Sequence, residues 1–355
     1  MIRGLREHPN KFDVKVCVTA QHREMLDQVL EAFQVKPDHD LDLMLPGQTL
    51  FQSTSRILAG LEPVLRTEKP AMVIVQGDTT TTLCGALAAF YSHIPVAHVE
   101  AGLRTHDMRQ PFPEEMNRVL ASRLTALHFA ATEMAAQNLR DEGVAPDSIH
   151  VTGNTGIDAV LFVRDGLERG ALRGREWPEL DASKKLILVT AHRRESFGDG
   201  FERICRALAK IANRDDVQLV YPVHPNPNVQ DPVQRYLAVH PNVRLIAPLS
   251  YVPFVDLMRR AYLLITDSGG IQEEGPSLGK PILVLREKTE RPEAVQAGTV
   301  KLVGTDEERI MREAAILLDD CRAYNEMARV HNPYGDGAAS DRIAGLLHSF
   351  LTANS

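Results

Sequence analysis

The chain has 355 residues, 44% hydrophobic and 25% charged, the balance of a soluble globular protein with room for two ordinary domains. Its net charge of −7 gives no electrostatic support to nucleic-acid binding, so an anionic ligand must be met by a local basic pocket. No apolar stretch reaches the ~18 residues of a membrane span, and the first residues are charged and amphipathic rather than signal-like.

Met1–Pro9 reads as the second half of an amphipathic helix, with Ile2 and Leu5 apolar and Pro9-Asn10 ending it. Strand-like runs follow at Val14–Thr19, Met72–Gln76, Pro95–Val99, Ala126–Ala130 and His150–Thr152. A second series lies at Leu186–Thr190, Gln218–Tyr221, Val243–Ile246, Leu263–Thr266, Pro281–Leu285 and Val300–Leu302. Between them lie helical patterns such as His22–Phe33, Thr79–Tyr91, Glu114–Leu124, Phe201–Ala212, Phe254–Ala261 and Asp306–Leu318. This alternation predicts α/β architecture with doubly wound parallel sheets. A polar break at Gly170–Lys185 divides the chain into domains 1–170 and 171–335. The turn-rich His331–Gly337 leads into a last helix, Ala339–Thr352, so that 336–355 is expected to pack back towards the first domain. Doubly wound domains ordinarily open with a strand and a glycine-containing loop at a helix N-terminus. Neither stands here, so the expectation is a truncated chain or a late-placed start. Cys17, Cys84, Cys205 and Cys321 are scattered without a CxxC pair and read as buried free thiols in a reducing cytoplasm.

Several motifs fall at expected strand tips. Asp78, in Gln76-Gly77-Asp78-Thr79, lies where ligands bind in open α/β sheets, although taken alone it reads as a helix cap. Glu100, in His98–Arg104, ends the next strand and would face the same cleft. Pro113-Glu114-Glu115-Met116-Asn117-Arg118 starts a helix on which Glu114 and Arg118 are i,i+4 and share a face, by itself an ordinary ion pair. His192, followed by Arg193-Arg194, and His224 end two strands of the second series. Two histidines invite a metal, but no third ligand stands at metal spacing, so none is assigned. Ser268-Gly269-Gly270 opens a helix after a buried strand, an anion site built from main-chain N–H groups and the helix dipole. Glu274, one turn in, could take two ribose hydroxyls, and Arg291 could reach a phosphate or sugar. That is a nucleotide-diphosphate grip lacking both the Walker lysine and GxGxxG.

Together, Gln21–Leu26, Gly77–Thr82, His98–Arg104, Pro113–Arg118, Thr152–Thr155, His192–Gly198, Asp267–Glu274, Glu290–Glu293 and His331–Gly337 resemble the non-hydrolysing UDP-N-acetylglucosamine 2-epimerases of bacteria. The resemblance implies the GT-B fold: two Rossmann-like doubly wound domains facing across a cleft. It implies inversion at C2 of UDP-GlcNAc, by anti elimination of UDP to 2-acetamidoglucal and syn re-addition, with no cofactor. It makes Asp78, Glu100 and Glu114 the catalytic acids, and places Arg118 and His192 around sugar and diphosphate. Phe254 would lie beside uracil, Ser268, Gly269 and Gly270 at the phosphates, Glu274 at the ribose, and Arg291 within the UDP site. Gln48 and His224 match a second site, where UDP-GlcNAc acts as an allosteric activator. Leu45 and Leu249 stand where relatives carry polar residues. A cytoplasmic homodimer supplying surface polysaccharide precursors is implied, without nucleic-acid or membrane partners. Relatives open with a strand and a Gly-Thr-Arg-Pro-Glu loop, so a chain beginning as this one does is expected to be poorly active or unstable. The alternatives are a UDP-sugar-dependent GT-B glycosyltransferase and a UDP-binding protein with little catalysis.

Overall fold

The computed structural model describes residues 1–20, 23–45, 47–178 and 180–354. They form two compact units, Met1–Asp158 with Tyr334–Ser355, and Ala159–Pro333. Each is α/β with parallel strands, as the alternation predicts.

The first unit has β1 (Cys17–Val18), β2 (His39–Asp40), β3 (Val73–Gln76), β4 (Val96–Ala101), β5 (Leu127–Ala130) and β6 (Ile149–Val151). β1 pairs with β2 in one ladder, and β3-β4-β5-β6 form a second. The predicted strand Val14–Thr19 shrinks to Cys17–Val18, because only those residues find ladder partners, His39 and Asp40. The predicted helix His22–Phe33 is Arg23–Ala32, with Gln21 and His22 outside the described residues. A 19-residue helix, Leu50–Glu68, was not named among the sequence patterns; Thr49 and Gln52 start it with a reciprocal capping box. The final helix, Ala339–Ala353, lays Ile343, Ala344 and Leu347 with Leu5 against Ala97, Val99, Leu127 and Phe129 of β4 and β5. Its first N–H groups, on Ala339 and Ser340, donate to the Asp158 carboxylate at 3.1 and 2.6 Å. A carboxylate suits that helix end, where main-chain donors lack partners and the dipole is positive.

The second unit has β7 (Lys185–Thr190), β8 (Val217–Pro222), β9 (Val243–Ile246), β10 (Leu263–Thr266), β11 (Ile282–Val284) and β12 (Val300–Leu302). Their order, β9-β8-β7-β10-β11-β12, is the 3-2-1-4-5-6 order of a Rossmann sheet. The order reverses between β7 and β10, the place where such sheets bind ligands. Helix Asp199–Ala212 buries Phe201, Ile204, Cys205, Leu208 and Ile211 at helical spacing in the core formed with β7 and β8. Each of the Phe, Ile and Leu side chains among them contributes about 1.5–3 kcal/mol when fully buried. Helix Tyr251–Arg260 is anchored by Asp256, 1% exposed, which accepts from Trp177 Nε1 (2.9 Å), Arg259 (2.9 Å) and Arg260 (3.0 Å).

All four cysteines are free. The expectation that all are buried holds for Cys84 and Cys205 but fails for Cys321, which opens the helix Cys321–Ala328 on the solvent side, and Cys17 is half-buried.

Candidate active-site residues

In the first unit the acids gather around the tips of β3 and β4. Glu100 sits at a bulge: Val99 pairs with Phe129 and Ala101 with Ala130, leaving Glu100 as the extra residue. Its φ is +62°, a left-handed conformation that a glutamate adopts only where its surroundings impose it. The bulge turns the side chain, and its Oε2 lies 3.6 Å from where a Cβ on Gly77 would stand. Glu100 and the Gly77-Asp78 turn are therefore neighbours. Gly102, two residues on, has φ +88°, and a Cβ there would run into the carbonyl oxygen of Ala135. Only glycine lets the chain leave the bulge in that direction.

Asp78 is held at three points. Its carboxylate accepts from Arg118 Nη1 at 3.1 Å, its carbonyl accepts from Asn117 Nδ2 at 2.9 Å, and the preceding Gly77 carbonyl accepts from His98 Nε2 at 2.7 Å. A carbonyl can only accept, so the His98 proton resides on Nε2. Burial pushes the His98 pKa down to about 4, keeping the ring neutral. Glu114 is the first residue of the helix Glu114–Leu124 and Arg118 lies one turn on. The predicted Glu114–Arg118 pair is not what forms. Arg118 pairs instead with Glu115, three residues back, at 2.6 Å from Nε, and with Asp78. Burial decides between the neighbouring acids: Glu115 is 1% exposed, and a buried guanidinium requires a buried partner. Pattern could have raised Asn117 and His98, which share the motifs, but gave no sign that Glu115 outranks Glu114. Gln48 lies in the loop before Leu50–Glu68, and its Oε1 is buried without a hydrogen-bond partner among the described residues.

In the second unit the candidates collect at the reversal point. Asp267 follows β10, is 1% exposed, and accepts from the main-chain N–H groups of His192 (2.6 Å) and Arg193 (2.7 Å), which follow β7. His192 Nδ1 is 3.5 Å from the other Asp267 oxygen, and its ring stacks on His224 with centroids 5.4 Å apart. Burial lowers the His192 pKa, opposed by the Asp267 charge and helped by His224. Both histidines thus occupy one place, with His224 exposed.

Ser268 precedes helix Gly269–Ser277 but makes no side-chain cap, so the first-turn N–H groups are not consumed by it. The Arg291 guanidinium lies over Gly269, where a Cβ would come within 3.0 Å of Cζ. It pairs with Glu273 at 2.7 Å and Glu290 at 3.0 Å. The adjacent carboxylates therefore divide: Glu273 holds Arg291, while Glu274 lies near Tyr251. Burial, reinforced by Glu273, pushes the Glu274 carboxyl up to about 8. Gly270 leaves open space where a side chain would be. Phe254 is half-buried in the first turn of Tyr251–Arg260.

The family profile described as UDP-N-acetylglucosamine 2-epimerase matches residues 3–348. The UDP-N-acetylglucosamine 2-epimerase of Escherichia coli K12 is 60% identical over 348 residues, covering 97% of this chain and 92% of that protein. The Neisseria meningitidis UDP-GlcNAc 2-epimerase, crystallised with UDP-GlcNAc, is 47% identical with a TM-score of 0.90 over 98% of this chain and 95% of that one. The Staphylococcus aureus MnaA–UDP structure is 44% identical with a TM-score of 0.89, covering 99% and 92%.

Proposed function

Because the chain belongs to the UDP-N-acetylglucosamine 2-epimerase family, we propose that it interconverts UDP-GlcNAc and UDP-ManNAc without hydrolysis. The two Rossmann-like units expected of a GT-B protein are both present. In the forward direction the C1–O bond to UDP breaks while a base removes the C2 proton, giving 2-acetamidoglucal and UDP. Return of a proton to C2 on the opposite face and attack of the UDP oxygen on C1 complete the inversion. The C2 proton is not acidic, so the departing diphosphate must be strongly stabilised. Oxidation state is unchanged overall, so the reaction needs no hydride cofactor.

The second unit is suited to the nucleotide. The Ser268 hydroxyl and the main-chain N–H groups of Gly269 and Gly270, with Arg291 and His192, would hold the diphosphate, the Ser268 N–H being given to Thr266 Oγ1 at 2.9 Å. Glu274 would accept the ribose hydroxyls, and Phe254 would cover the uracil. The first unit is suited to proton movement, with Asp78, Glu100 and Glu114 as acids and bases and Arg118 orienting Asp78. The observation that carries the reading is the pairing at the strand tips. Asp78 is locked by Arg118, and Glu100 is turned towards the same turn by a strained bulge. By family resemblance, a second UDP-GlcNAc acting as an activator is proposed to involve Gln48 and His224. A cytoplasmic homodimer making precursors for surface polysaccharides completes the proposal. Among the described residues no helix is long and apolar enough to cross a membrane.

Incubation with UDP-GlcNAc alone, followed by proton NMR in deuterated water, tests this. UDP-ManNAc carrying deuterium at C2 is expected. Release of free ManNAc with UDP would instead indicate a hydrolysing enzyme. Transfer only after addition of an acceptor sugar would indicate a glycosyltransferase.

A further inference from the structure

Glu115 is used by no step above, yet it is among the most completely bonded charged groups of the first unit. Its carboxylate is 1% exposed. It accepts from the main-chain N–H of Thr105 at 3.0 and 3.1 Å and of His106 at 2.9 Å. It also accepts from Arg118 Nε at 2.6 Å, while Nη2 stands in ion-pair contact at 2.5 Å without a hydrogen bond of its own. Arg118, itself 2% exposed, then has Nη1 left to reach Asp78 at 3.1 Å. One buried carboxylate thus ties together the loop that follows the Glu100 bulge, the guanidinium on Asp78, and the first helical turn that carries Glu114.

We infer that Glu115 is a positioning residue for the epimerase reaction, setting Arg118 so that its remaining edge aims Asp78 at the substrate. The inference rests on the proposed function. The Nε hydrogen bond, with Nη2 held against the same carboxylate oxygen, fixes the planar guanidinium on that side, so Nη1 points in a set direction. A buried arginine deprived of that carboxylate is left uncompensated and must turn elsewhere. Glutamine has the shape of glutamate and its oxygen can still serve Thr105 and His106. Its amide N–H groups, however, would meet the N–H groups of Arg118 donor to donor, and the guanidinium would withdraw from Asp78.

The test is a double-mutant cycle of Glu115→Gln and Arg118→Lys, with kcat, KM and UDP affinity measured for each. E115Q is expected to lower kcat about 10- to 100-fold with KM and UDP affinity within about threefold, and the double variant to be no worse than the poorer single variant. Multiplying effects, or an E115Q kcat within about twofold of the parent, would overturn the inference. If E115Q does not fold, Glu115→Asp keeps the charge and withdraws it by one methylene, and the same split is read from it. A parent chain that does not convert UDP-GlcNAc would count against the functional proposal, not against this one. A crystal structure of the variant then decides: an Arg118–Asp78 contact retained near its parental distance overturns the inference, and its loss supports it.

Discussion

The strand tips of the first unit and the reversal point of the second are made of different materials. Around Asp78 the candidate chemistry is carried by side chains held by other side chains: Arg118, Glu115, Asn117 and His98. Around Ser268 it is carried by main chain and small residues, with glycine at 269 and 270 and an uncapped helix start. A diphosphate has charge and lone pairs enough to be held by fixed N–H groups, which never change protonation. Moving a proton on and off carbon needs groups that do titrate, and those must be aimed by neighbours. The contrast predicts that changes in the first unit alter turnover and spare nucleotide affinity, while changes in the second do the reverse.

The strongest test of that division is Asp78→Asn. General acid–base groups contribute about 10²- to 10⁴-fold, so kcat should fall by that order while UDP affinity in calorimetry stays within about threefold. An equal loss in both would erase the distinction between the units. Glu274 sharpens the other side. Its carboxyl titrates at about 8 rather than its ordinary 4.5, through burial and the charge of Glu273, with Tyr251 facing it. If the ionised form accepts the ribose hydroxyls, UDP affinity should rise with pH towards 8, by up to about tenfold per unit, and Glu274→Gln should flatten the curve. For stability the sign is reversed. Between 4.5 and about 8 the folded chain holds a proton that the unfolded chain releases. Stability therefore falls as pH rises through that window, and E274Q removes the slope. The smallest stability change is expected at Glu100, held at φ +62°. Glu100→Gly should relieve left-handed strain and raise unfolding stability by about 1 kcal/mol in denaturant titrations, while turnover is lost. A variant that loses both would show that the bulge serves the fold rather than the reaction.

What the sequence disclosed follows the same division. The inner strands of the second unit, such as Leu263–Thr266, are buried and parallel and stand out as apolar runs, while the two edge strands each carry one exposed cation, Arg244 and Lys301. Leu263–Thr266, Val243–Ile246 and Val300–Leu302 were read with the bounds they have. Asp78 and Glu100 were recognisable because both fall at the C-terminal end of strand-like runs, where open α/β sheets bind ligands. The bulge that turns Glu100 was not legible, since it depends on ladder register with β5. Nor was the exchange of Glu114 for Glu115 as the partner of Arg118. Both spacings suit a helix pair, and only the burial of one carboxylate decides. His39–Asp40, a strand of two residues, carries no periodicity to read.

The placement of the last helix has a consequence for how the protein is made. Leu5, Ala97, Val99 and Phe129 emerge early in synthesis, but Ile343, Ala344 and Leu347, which cover them, come only at the end. All of residues 159–333 is translated in between, and at roughly 5–20 residues per second that takes on the order of ten seconds or more. During that interval the nascent chain carries an uncovered apolar sheet face. The second unit, whose sheet and core helix are contiguous in sequence, has all its own parts in hand and can fold first. The order of assembly on the ribosome is then inside before outside: the inserted unit closes, and only afterwards is the unit that brackets it sealed by its final helix.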